Sequence, residues 1–174
     1  GAVGWRYCSE YVYGDSLIWG FTQTHLNGTG CMDLGDLLVM PVNGKKLRAL
    51  EDYRSSFKKE SEQATPGYYS VELNKPNAKA ELTATTHAAM HRYTFHSPDS
   101  ASLLIDLQHG PAWSEKQYHS HVRFCNTQWE DEYTLTGHVN NSVWVDQDYF
   151  FVLTFNNPVI DTLNLPMLEG ENGK

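Results

Sequence analysis

Short β-type segments, each closed by a turn signal and none followed by a long amphipathic helix, limit this chain to an all-β architecture. Expected strands are Ser16–Thr22, Asp36–Met40, Gly67–Leu73, Ala78–Thr86 and Ala88–Phe95. Then come Ala101–Leu107, Ser120–Gln128, Glu132–Asn140, Asp148–Phe155 and Val159–Leu163. Many alternate with period two, as in a sheet with one buried face. Tyr69, Val71 and Leu73 share a face, as do Leu103, Ile105 and Leu107, then Val122, Phe124 and Asn126, then Tyr133, Leu135 and Gly137. Asn43-Gly44, Asn74-Lys75-Pro76-Asn77 and Ser97-Pro98-Asp99 supply turns. The charged stretch Lys45–Gln63 holds at most a short helix near residues 46–57, or forms a surface loop. The pattern predicts one antiparallel β-sandwich domain over residues 1–167, with 168–174 as a solvated tail.

Composition removes several function classes. At 174 residues the chain is long enough to bury a core, and 40% apolar content is compatible with one. A net charge of −8 argues against nucleic acid, which favours a basic face. No run of about 18 apolar residues exists, so no membrane-spanning helix is expected. Cys8, Cys31 and Cys125 match no zinc spacing; free thiols are expected, with one disulfide open to them in an oxidising compartment. Asn27-Gly28-Thr29 and Asn140-Asn141-Ser142 fit the N-glycosylation pattern.

The run Gly20-Phe21-Thr22-Gln23-Thr24-His25-Leu26-Asn27-Gly28-Thr29-Gly30 is the chemically densest in the chain. Its amides, hydroxyls and histidine are donors and acceptors at neutral pH. Gly28 and Gly30 permit close backbone approach, and Phe21 adds an apolar face. That mixture suits a neutral, hydroxyl-rich ligand such as a sugar; the alternative is an Asn-Gly turn between strands. Trp5, Tyr7, Tyr11, Tyr13, Trp19 and Phe21 precede it, as stacking surfaces or as core.

Other chemistry is weaker. His87 and His91 have the spacing of a zinc-protease helix but lack its glutamate and lie in a β-type segment. His119 and His121 share a strand face without a third ligand. Asp33-Leu34-Gly35-Asp36 is a turn entering a strand, its Asp capping the backbone, rather than an acid–base pair. No Gly-x-Ser-x-Gly elbow, dinucleotide fingerprint or phosphate loop is present.

Gly20–Gly30 resembles the Gly-Phe-Ser-His-Thr-His-Leu-Ser-Gly-Thr-Gly segment of glycoside hydrolase family 92, the exo-acting α-mannosidases. Asp33–Pro41 is similar to the family's Gly-Asp-Ile-Leu-Leu-Met-Pro strand. Ala64–Val71, Ala80–Thr86, His91–Phe95, Leu104–Leu107 and Leu135–Val152 resemble further blocks in the same order. Gly4-Trp5-Arg6-Tyr7-Cys8-Ser9 resembles Gly-Trp-x-Trp-Cys-Ser.

The resemblance implies a supersandwich (galactose-mutarotase-like) N-terminal domain, incomplete at both ends here, that forms one wall of a cleft. Its partner is an α-mannoside glycan. The catalytic carboxylates of an inverting reaction, and the ligands of a calcium ion, lie mainly in a C-terminal helical (α/α)6 barrel, so no catalytic residue is expected in this chain. Trp5 and His25 lead as sugar contacts, followed by Phe21, Thr24, Asn27 and Thr29, with Gly28 and Gly30 shaping the backbone. A periplasmic or secreted location follows from family habit. The chain departs from the family where Glu10 replaces glycine, Val12 replaces histidine, Thr22-Gln23 replaces Ser-His and Asn140-Asn141-Ser142-Val143 stands where arginine is frequent. The rival to an enzyme domain is a free-standing carbohydrate-binding or scaffold module.

Overall fold

The computed structural model describes residues 12–24, 34–44, 47, 50–97, 101–110, 122–142 and 145–165. Strands dominate. β1 (Leu17–Ile18) and β2 (Phe21–Thr22) precede β3 (Leu38–Asn43). A single helical turn, α1 (Leu50–Tyr53), leads to β4 (Ser55–Ser56) and β5 (Gln63–Thr65). β6 (Tyr68–Leu73), β7 (Ala78–Ala84) and β8 (Ala89–Phe95) form a meander. β9 (Ala101–Asp106), β10 (Val122–Trp129), β11 (Thr134–Ser142) and β12 (Asp146–Thr154) complete the order. All pairings are antiparallel, in sheets β5-β6-β7-β8, β2-β3-β9 and β10-β11-β12 and a short β1-β4 pair.

These pieces stack as an all-β sandwich with two cores. Leu38, Met40 and Val42 of β3 pack with Val71, Leu73 and Ala80 of the four-stranded sheet, plus Trp19 and Tyr53. Across the β3–β9 sheet, Leu37, Ile105 and Leu107 pack with Val139, Phe151, Cys125 and Leu153 of the three-stranded sheet. β9 thus sends Leu104 to one core and Ile105 to the other. Burial on both faces explains why β3 reads as a continuous apolar run instead of an alternation. Pro41, which brings no N–H, sits beyond Val39, the last β3 residue that β2 pairs.

Several sequence expectations change. Ser16–Thr22 is two strands, because the chain crosses between sheets at Trp19-Gly20. A Cβ at Gly20 would lie 2.4 Å from Leu38 Cδ2, so only glycine lets the crossing press onto β3. Val122 and Phe124 do not share a face: a β-bulge between them keeps Val122 and Cys125 on the inner core and turns Phe124 outward. The 46–57 region holds the four-residue α1 and then β4, and 159–163 is not a strand. β5 was not anticipated. His87 lies in the β7–β8 connection and His91 in β8, not on a helix.

Candidate functional site

Of the expected sugar contacts, Phe21 and Thr24 are described. Trp5, His25, Asn27, Gly28, Thr29 and Gly30 lie outside the described residues, as do Cys8, Cys31, Asp33, His119, His121 and the 168–174 tail. What the structure defines is the neck from which residues 25–33 leave and return.

Phe21 stands at the start of β2, half-buried. Its ring lies against His91, edge-on at 6.2 Å between centroids, and against Tyr69 and Tyr93 at 6.4 Å each. His91 Nδ1 is 2.8 Å from the Tyr93 hydroxyl, and Gln23 Nε2 approaches His91 Nε2 at 3.4 Å while donating to the Phe21 carbonyl at 3.0 Å. Burial holds the His91 imidazole below its usual pKa and pushes the Tyr93 hydroxyl up. The histidine is therefore a neutral hydrogen-bonding member of an aromatic cluster.

Thr24 closes the neck. Its hydroxyl donates to Asp36 Oδ2 at 3.0 Å and accepts from the Gly35 and Asp36 amides at 3.0 and 2.8 Å. A hydroxyl has one donor and two acceptor positions, so this one is filled by the protein. The backbone repeats the closure: Gln23 N–H donates to the Asp36 carbonyl and Gly35 N–H to the Thr24 carbonyl, both at 3.1 Å. Among the described residues, Thr24 is thus a cap on this turn.

Asp36, 1% exposed, faces the opposite way, taking a hydrogen bond at Oδ1 from Asn141 Nδ2 of β11. The turn 107–110 runs beside it: a Cβ on Gly110 would sit 3.7 Å from Asp36 Oδ1. Asp106 begins that turn by accepting the Gln108 and His109 amides at 2.9 and 3.1 Å. Tyr149 has its hydroxyl pKa raised by burial, with the Asp36 charge adding to it. Around Asp36 the backbone takes sparsely populated conformations, with φ of 62° at Leu34, 92° at Gly35 and 53° at Leu37. Each non-glycine case costs on the order of 1–3 kcal/mol and persists where the surroundings overdetermine it. The Asp36 bonds and the burial of Leu37 supply that constraint.

Sequence reasoning missed Asn141, because 105 residues separate it from Asp36. The signal was faint: a polar residue at an inward register position, inside the Asn140-Asn141-Ser142 stretch already marked as unusual. A hollow of about 220 Å3 lies at the far end of β3, lined by Val42, Asn43, Tyr53 and Pro76, away from the neck. Among the described residues no group of three or more His, Cys, Asp or Glu side chains converges as for a metal ion. No helix among the described residues is long and apolar enough to cross a membrane.

Fold and sequence together place the chain among the β-sandwich domains of glycoside hydrolases. More narrowly, it belongs to the glycosyl hydrolase family 92 N-terminal domain family, whose model matches residues 2–168. It is similar to the family GH92 α-mannosidase BT3965 of Bacteroides thetaiotaomicron at 31% identity and a TM-score of 0.81, covering 92% of this chain and 22% of that one. The same relative is also known in complex with mannoimidazole. The inverting mannosidase BT2199 of B. thetaiotaomicron VPI-5482 is similar at 26% identity and a TM-score of 0.65, with coverage of 86% and 19%. An uncharacterized secreted glycosidase of Arthroderma benhamiae is 31% identical over 106 residues, 53% of this chain and 14% of its own length. The chain therefore spans about a fifth of the solved relatives and less of the fungal one.

Proposed function

We propose that this chain is the cleft-forming domain of an exo-acting, inverting α-mannosidase, and that residues 25–33 meet the terminal sugar of a mannose-containing glycan. The observation that carries this reading is the closed neck. The most sugar-like segment of the sequence leaves and re-enters the sandwich through a turn held by Thr24 and Asp36, in a family with a relative that binds mannoimidazole. Trp5, Phe21, His25, Asn27 and Thr29 contact the sugar, Gly28 and Gly30 let the backbone approach it, and Thr24 holds the loop's base.

The acid and base of an inverting hydrolysis stand about 6.5–9.5 Å apart across the scissile bond. The described carboxylates support the view that this pair comes from elsewhere. Asp36 is bonded to Thr24 and Asn141, Asp106 to its own turn, Glu81 to Arg92 and Tyr68, and Asp148 to His138. The pair, and the ligands of a calcium ion, reside mainly on a helical barrel that completes the enzyme. The solved relatives are about five times longer than the stretch matched here, which supports that reading. The outer face of β10–β12 is compatible with such a partner: Phe124, Phe150 and Val152 are 50%, 71% and 65% exposed on it. The enzyme acts outside the cytoplasm, as the secreted fungal relative suggests.

The test is hydrolysis of an aryl α-mannoside. The expected result is no turnover by this chain alone and inverting turnover by the longer protein. Turnover by the 174 residues alone would place the acid and base within them and overturn the division of labour. The rival is a free-standing sugar-binding module, which the two self-contained cores favour. A reading frame that stops near Lys174 would decide for it.

A further inference from the structure

We infer that Asp36 and Asn141 are positioning residues for the sugar-facing loop: they fix the neck of residues 25–33 to the β10–β12 sheet without touching sugar themselves. The inference rests on the mannosidase reading above and adds to it a part for two side chains that no local pattern pairs.

The argument is one of donors and acceptors. Thr24 Oγ1 spends its only proton on Asp36 Oδ2, and both its acceptor positions on the amides of Gly35 and Asp36. Asn141 Nδ2 takes Asp36 Oδ1. Each carboxylate oxygen thus serves a different body, one the loop neck and the other a strand across the second core. Asp36 and Asn141 are 1% and 2% exposed, so water does not stand in for a lost partner. The flanking positive-φ residues Leu34, Gly35 and Leu37 fix the backbone direction at the returning end of the loop. The turn ending at Gly110 packs beside the same carboxylate, a Cβ there lying 3.7 Å from Asp36 Oδ1. A loop that must meet a sugar ring to within a fraction of an ångström gains its accuracy from such a base, since small misplacements in a site cost rate steeply.

The chemistry makes a reciprocal exchange. With Asp36→Asn, one oxygen becomes an NH2 group and, with the Asn141 amide held in its present orientation, meets either the Asn141 NH2 or the Thr24 hydroxyl donor to donor. Adding Asn141→Asp restores the match, because the new amide at 36 donates to the new carboxylate at 141 and keeps its oxygen for Thr24.

The experiment uses the longer, active protein, with an aryl α-mannoside as substrate and mannoimidazole as inhibitor, at a temperature where circular dichroism shows every variant folded. D36N is expected to lower kcat/KM about 10- to 100-fold and to weaken mannoimidazole in parallel, and D36N/N141D to recover most of both. If D36N does not fold, T24S against T24V makes the same comparison: the serine keeps the hydroxyl and activity, and the valine loses both. A lower melting temperature with unchanged kcat/KM and inhibition per folded molecule would show a structural link only and overturn the inference. So would a double variant no better than D36N. A wild-type enzyme inert toward the mannoside would instead sink the mannosidase reading, and this inference with it.

Discussion

The two outer sheets of the sandwich present opposite faces to their surroundings. On β5–β8 the outward side is a charged network. Arg92 holds Glu81 through two bonds of 2.8 Å, Tyr68 adds a third of 2.8 Å, and Lys79 stands 3.5 Å away. On β10–β12 the outward side carries Phe124, Phe150 and Val152. His138 stacks on Phe150 at 4.3 Å and bonds Asp148 at 2.6 Å. Both sheets fill a core with their inner sides, so inner packing does not explain the contrast. The first face is dominated by an ion-pair network with Met90 at its edge; the second mixes exposed aromatic and aliphatic side chains with the His138–Asp148 and Arg123–Asp146 pairs.

Adjacent residues on β12 give the sharpest way to break this contrast. Phe151 fills the second core beneath Gly137, where any Cβ would lie 2.2 Å from the ring, whereas Phe150 points outward. Phe151→Ala is expected to cost about 3–5 kcal/mol in urea unfolding. Phe150→Ala is expected to stay within about 0.5 kcal/mol while reducing self-association of the 174-residue chain in sedimentation. Equal costs would mean the two faces are not distinct. Next in size, Asn141→Ala leaves one oxygen of a buried carboxylate without its partner and should cost about 1.5–3 kcal/mol in the same assay.

Smaller effects sharpen the contrast through pH. Burial lowers the His91 pKa, so the unfolded chain binds this proton more readily. Stability should fall as pH drops below about 6.5, the unfolded histidine value, and His91→Gln should flatten that part of a melting-temperature profile. Glu81 on the charged face is lowered to about 2, chiefly by the Arg92 hydrogen bonds and then by Tyr68. Its contribution is present above the unfolded value of about 4.5 and fades on acidification toward 2. Its partner Arg92 is exposed and solvent screens the pair, so Glu81→Gln should alter only the acid end of the profile.

The strands of the meander were legible in the sequence because their apolar residues recur with period two, most cleanly in β8, whose burial alternates from Met90 to Phe95. β3 was legible as a strand yet not as a central one, since burial on both sides removes alternation and leaves no mark of which neighbour covers which side. The bulge at Val122 and Phe124 defeated the period-two reading outright, because one extra residue resets the phase. At the site, the Gly20–Gly30 run announced its chemistry, and Thr24 was singled out for its hydroxyl. Its part as the turn's cap depended on Gly35 and Asp36 folding back eleven and twelve residues later. The Asp36–Asn141 bond was invisible for a plainer reason: no local pattern encodes a contact between β11 and the entry to β3.

The bulge has an effect on the molecule's tolerance of change. Arg123 is the surplus residue, and its side chain reaches outward to pair with Asp146 at 3.0 Å. Removing it would leave Val122, Phe124 and Cys125 in ordinary in–out–in order, and the five rungs from Cys125↔Val139 to Trp129↔Leu135 need not move. The chain can therefore lose a residue at that point as a zip fastener loses a spare tooth at its end, without any other side chain changing the side on which it stands.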